Sequence, residues 1–193
     1  MPETVNRRDA ILAAARGEFA AHGYFGARVE RIAAAASANK QLIFHYFGSK
    51  GGLYSAMVAA VVSESPLGSS ATRTPPDAVR SHVSSLVAWL IQTPGAALAI
   101  VECRSGRDVP AEARSGVDAW MQSQTQCLGG LVEDGQRQGF FRDDVEAQAV
   151  VDIAIGSAIG LALSGLDISP NGGGSTGLQA MVAQIVVDYC AWR

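Results

Sequence analysis

Apolar residues recur every three to four positions along nearly the whole chain, and stretches that alternate apolar with polar are scarce. That spacing lines up a stripe on one side of a helix but scatters the same residues over both faces of a strand. The chain therefore reads as all-α. Punctuation sets the helix lengths: Pro66 to Pro76 is linker-like, and Thr93-Pro94-Gly95, Ser105 to Pro110, Gly139 and Asn171 to Gly177 are further breaks. With 48% hydrophobic residues among 193, a core can form and a disordered chain is excluded. Three scattered cysteines, Cys103, Cys127 and Cys190, argue for thiols in a reducing compartment rather than a disulfide scaffold.

Neither the N-terminal segment nor the most apolar stretch reads as a membrane device. MPETVNRRD carries no apolar run behind its arginines, so it lacks the pattern of a signal peptide. The most apolar stretch, Gln148 to Leu166, contains Asp152 and is flanked by Asp143, Asp144, Glu146 and Asp167. A spanning helix carries few internal acids and prefers Lys or Arg at a flank. The expectation is a cytoplasmic protein without a membrane partner.

Charge is unevenly shared. Residues 1–54 hold seven Lys and Arg against four acids, and the remainder holds eight against fourteen. A basic segment on an acidic body suits one polyanion-binding end. Within that segment Asn6 can cap a first helix, Ile11, Ala15 and Phe19 form its stripe, and Gly23 ends it. Tyr24 and Phe25 follow as plugs toward the next helix. Val29, Ile32 and Ala33 mark a short second helix, Ser37-Ala38 a tight connection, and Asn39 the cap of a third. Ser49 caps a fourth, with Leu53, Met57 and Val61 on one face.

Two short helices joined by a turn of about three residues make a helix-turn-helix. Its second helix enters the major groove with polar residues at its N-terminal end. Here these are Asn39, Lys40 and Gln41. A glutamine amide can read adenine through two hydrogen bonds, and lysine can reach guanine acceptors or phosphate. Leu42 lies beside them. His45, Tyr46 and Lys50 are placed for flanking phosphates.

The segment Ile11-Leu-Ala-Ala-Ala, Phe19-Ala-Ala-His-Gly-Tyr24, Val29-Glu-Arg-Ile-Ala33 and Asn39-Lys-Gln-Leu-Ile-Phe-His-Tyr-Phe47-Gly-Ser-Lys50 resembles the TetR family of transcriptional regulators. The resemblance covers about residues 7–60. Two departures stand out. Ala27 and Arg28 occupy places where the family usually has hydroxyl residues, so the cap of the second helix is lost and Arg28 takes over as the phosphate contact. Ser37-Ala38 replaces the usual Gly-Val, and serine adopts a left-handed conformation at higher cost than glycine.

The resemblance implies a three-helix DNA-binding domain over 1–52 and an effector-binding and dimerisation domain over 53–193, about nine helices in all. It implies a homodimer on an inverted-repeat operator, acting as a repressor. Small residues along 145–164 and an apolar stripe along 176–192 (Leu178, Met181, Val182, Ile185, Val186, Tyr189) suit a four-helix bundle across a twofold axis. His82, Trp89, Ile100, Cys103, Trp120, Met121 and Phe140 are candidate linings of a pocket for a small, largely apolar effector. No cofactor or metal is expected: glycine-rich phosphate loops, nucleophile elbows and paired metal-ligand spacings are missing, so an enzyme is not indicated. Two alternatives stay open. One is a redox-sensing repressor using Cys103, whose pKa the adjacent Arg104 can lower. The other is a regulator without an effector.

Overall fold

The computed structural model describes residues 7–67, 74–93, 95–105, 108–164 and 174–191. Among them the chain is helical throughout. In order come α1 (Arg7–Gly26), α2 (Val29–Ala35), α3 (Lys40–Phe47), α4 (Lys50–Ser63), α5 (Pro75–Gln92), α6 (Ala96–Arg104), α7 (Ala111–Arg137), α8 (Ala147–Leu163) and α9 (Gly174–Cys190). The expected Asn6 cap and the Leu178 side chain lie outside the described residues, as do parts of the two glycine- and proline-rich linkers. No single described helix is long and apolar enough to span a membrane.

Two compact units divide the chain. The first joins Met1–Glu64 with Thr93–Ala119, and the second joins Ser65–Gln92 with Trp120–Arg193. The first therefore contains not only α1 to α4 but also α6 and the start of α7.

The first unit's core follows the stripes read from the sequence. Ile11, Ala15 and Phe19 on α1, Ile32 on α2, Ile43 on α3 and Leu53, Met57 and Val61 on α4 are all buried. Phe19 packs edge-on against Tyr54 at 5.0 Å between ring centroids, and Tyr24 adds a tilted contact to Tyr54 at 4.8 Å. Tyr24 thus plugs the expected gap, but Phe25 does not: it is 55% exposed. The helical path is broken at Gly23, with φ 65° and ψ −179°, and resumes for one turn to Gly26.

That break has a partner on α6. Glu102 is 5% exposed. Its two carboxylate oxygens accept from the Tyr24 backbone N–H at 3.0 and 3.1 Å, and Oε2 also accepts from the Tyr54 hydroxyl at 2.9 Å. A buried carboxylate is tolerated where such donors replace water. Burial also keeps the Tyr54 phenol protonated, with its pKa raised, so it remains a donor.

The second unit packs α5 against α8 and α9. Val79, Val83, Leu86 and Leu90 of α5 are buried, as are Val150, Val151, Ala154 and Ala158 of α8 and Val182, Val186 and Cys190 of α9. Beyond α7, Phe141 is fully buried and forms an isolated bridge with Ala191.

Candidate nucleic-acid interface

Arg28, the N-cap of α2, has no hydroxyl and makes no side-chain cap. Glu18 on α1 takes over the task. Its carboxylate accepts from the Arg28 N–H at 2.8 Å and from Arg31 Nε at 2.7 Å. Burial pushes this carboxyl up, but the Arg31 and Arg28 hydrogen bonds outweigh it and hold the pKa below its ordinary value.

The turn between α2 and α3 closes with serine where glycine is usual. Ser37 has φ 49°, the one left-handed non-glycine among the described residues. This lets the Ala38 N–H reach the Ala33 carbonyl at 2.9 Å and the Ser37 N–H reach Ala34 at 3.2 Å. These bonds are the paired closure that ends many helices. Asn39 then opens α3, its Oδ1 accepting from the Leu42 N–H at 2.7 Å. Ser49 opens α4 in the same way, accepting from Gly52 at 3.0 Å.

With both ends fixed, α3 buries Ile43 completely and turns most of its other side chains outward. Lys40, Gln41, His45 and Tyr46 are exposed, as are Asn39 and Arg28, while Leu42 and Lys50 are half-buried. Phe44 is exposed at 37%, and so lines this outer face rather than the core. Both lysines are already engaged. Lys40 pairs with Glu30 of α2 at 2.5 Å and lies 5.7 Å from the Phe44 ring centre. The Lys40 ammonium holds the Glu30 carboxyl below its usual pKa. Lys50 lies 5.0 Å from the Tyr24 ring centre and donates to the Phe25 carbonyl at 3.4 Å. All eight residues expected to face DNA therefore lie in one unit, on α2, α3 and their flanks.

The expected pocket residues are divided. His82, Trp89, Trp120 and Met121 are buried within the second unit. His82 Nε2 lies 2.9 Å from Gln124 Oε1, and Trp89 stacks obliquely on Trp120 at 5.6 Å. Trp120 Nε1 donates to Ser65 Oγ at 2.7 Å. Burial lowers the His82 pKa, which favours the neutral ring. Two buried polar atoms, His82 Nδ1 and Trp89 Nε1, have no partner among the described residues. Ile100 and Cys103 belong to the first unit, and Phe140 is 43% exposed beside the buried Phe141. Burial pushes the Cys103 thiol up to about 11, which disfavours the thiolate that oxidation needs. Arg104, expected to lower it, is exposed.

Sequence reading missed Glu18, Glu102 and Gln124 as structural partners. A signal was present for Glu102, an acid directly after the apolar run Ala96 to Val101.

Residues 11–57 match the family model described as bacterial regulatory proteins, tetR family. Over 57 residues the chain is 53% identical to the HTH-type transcriptional repressor SCO4008 of Streptomyces coelicolor, covering 30% of this chain and 29% of that protein. Over 142 residues it is 27% identical to the HTH-type transcriptional repressor NicS of Pseudomonas putida, covering 72% of this chain and 67% of that one. The match thus spans less than a third of the first relative's length. In fold, the chain is similar to a tetR-family regulatory protein from Rhodococcus RHA1. That pair has a TM-score of 0.77 and 20% identity, with 98% of this chain and 100% of that chain covered.

Proposed function

From the match of residues 11–57 to the tetR-family model we propose that this segment is a DNA-binding domain and that the whole chain is a homodimeric repressor released from an inverted-repeat operator by a small, largely apolar effector. The observation that carries the reading is the outer face of α3. Asn39, Lys40, Gln41, His45 and Tyr46 are exposed together while Ile43 anchors the helix from beneath. A helix in the major groove needs this division between anchor and readout.

In this mechanism Gln41 and Lys40 read base edges, and Arg28, His45, Tyr46 and Lys50 hold phosphates. Residues 1–52 are the DNA-binding domain, and 53–193 serve effector binding and dimerisation. A second copy covers the outer faces of α8 and α9. Met181, Ile185 and Tyr189, spaced four apart on α9, are 50%, 51% and 40% exposed. Gly156 and Gly160 on α8 are exposed, with open space beside them. Small residues on one helix and large apolar ones on the other favour close helix packing across a twofold axis.

The effector binds in the second unit around His82, Trp89, Trp120 and Met121. Aromatic surface there supplies affinity, and the unpaired His82 Nδ1 and Trp89 Nε1 supply hydrogen bonds to the ligand. The switch acts through α6, whose Glu102 touches both α1 and α4. An effector that binds the two states unequally shifts the equilibrium, and the coupling is reciprocal.

Fluorescence-anisotropy titration against the DNA just upstream of the coding region, over a salt series with nonspecific competitor, tests the reading. Competitor-resistant binding is expected, with affinity falling as salt rises. Binding that competitor abolishes at every salt concentration counts against an operator at that position.

A further inference from the structure

The DNA-facing cation Lys50 has two contacts, the Tyr24 ring and the Phe25 carbonyl. Both belong to the short turn of α1 that follows the break at Gly23. That turn is held by the Glu102 carboxylate, through the Tyr24 N–H. Among the described residues no cation pairs with Glu102, so its charge is balanced by N–H and O–H donors alone. Such a group is demanding in geometry, because any shift of the α1 end leaves a buried charge with too few donors. Tyr54 gives the carboxylate a second tether, on the same helix that begins at Lys50.

We propose that Glu102 is a positioning residue for the DNA-binding surface: by fixing the end of α1 it holds the Tyr24 ring and Phe25 carbonyl that present Lys50 to a phosphate. The proposal rests on the DNA-binding reading above and deepens it. Glu102 touches no DNA, yet its loss removes the contribution of a residue that does. A contribution to stability alone would leave Lys50 working normally in every molecule that folds.

The test is a double-mutant cycle of Glu102→Gln with Lys50→Ala. The full chain binds a duplex selected by the wild type from a randomised pool, with Kd measured over a salt series. Lys50→Ala is expected to lower the salt slope by about one. Glu102→Gln is expected to lower it equally and to raise Kd about tenfold. The double variant is expected to bind no more weakly than the weaker single variant. Effects that multiply, or a wild-type salt slope in Glu102→Gln, overturn the proposal. If thermal melts show that Glu102→Gln does not fold, Glu102→Asp, whose shorter side chain draws the carboxylate back from the Tyr24 N–H, replaces it in the same cycle and is judged by the same outcomes. Failure of the wild type to select any duplex would refute the DNA-binding reading itself and the inference with it.

Discussion

Two identical substitutions six residues apart on α1 are expected to change stability in opposite directions. At Gly23 the backbone has φ 65° and ψ −179°, a region open almost only to glycine and costing other residues about 1–3 kcal/mol. A Cβ at that position would collide with Glu102 Oε1. The carboxylate must then give way and lose a charge-assisted hydrogen bond, worth roughly 1.5–3 kcal/mol. Together these predict that Gly23→Ala destabilises by about 2.5–6 kcal/mol. Gly17 lies mid-helix, exposed, with open space where its Cβ would go. There alanine removes only the entropic weakness of glycine, so Gly17→Ala is expected to stabilise by about 0.5–1 kcal/mol. Urea denaturation followed by far-UV circular dichroism gives both values, read as midpoint shifts at constant slope. If Gly23→Ala unfolds within about 1 kcal/mol of wild type, the account of the α1 break and its Glu102 contact is wrong.

Other expectations are simpler to state. Gln41→Ala should reduce discrimination among operator variants by about 1–3 kcal/mol if the amide makes its paired contact with adenine, measured as Kd ratios between matched and mismatched duplexes. Ile185→Glu places a charge on the exposed α9 stripe and should shift sedimentation equilibrium from dimer to monomer, whereas an unchanged mass would remove α9 from the interface. Cys103 and Cys190 have thiols raised from 9.0 to about 11 by burial. Because the folded state favours the protonated form, stability from these groups is full below about pH 9 and is lost as pH rises toward 11. Denaturant midpoints measured across that window should fall for wild type and fall less for a Cys103→Ala/Cys190→Ala variant.

Much of the first unit was legible because its signals are local. Asn39 and Ser49 cap the helices they precede in sequence, and Ile11, Ala15 and Phe19 form a stripe whatever they pack against. Ser37 was legible as a strained turn residue for the same reason. Glu18 and Glu102 were not, since each satisfies a backbone N–H that becomes its neighbour only after folding, 10 and 78 residues away. Exposure also escaped the pattern. Phe25 read as a plug by chemistry, but is 55% exposed. The pocket list drew on residue type alone, and so mixed Ile100 and Cys103 with residues of the other unit. The pairing of His82 with Gln124 across 42 residues had no local signature either.

The first unit draws on two stretches of sequence separated by α5, and this gives its assembly a timetable. Tyr54 emerges during synthesis 48 residues before Glu102. At a synthesis rate of about 5–20 residues per second, the first four helices wait roughly 2–10 seconds for the side chain that secures them. Over that interval the Tyr54 hydroxyl and Tyr24 amide lack their Glu102 partner. A fragment ending after α4 is the permanent form of this waiting state. The first four helices are therefore a poor cassette for transplantation unless α6 travels with them.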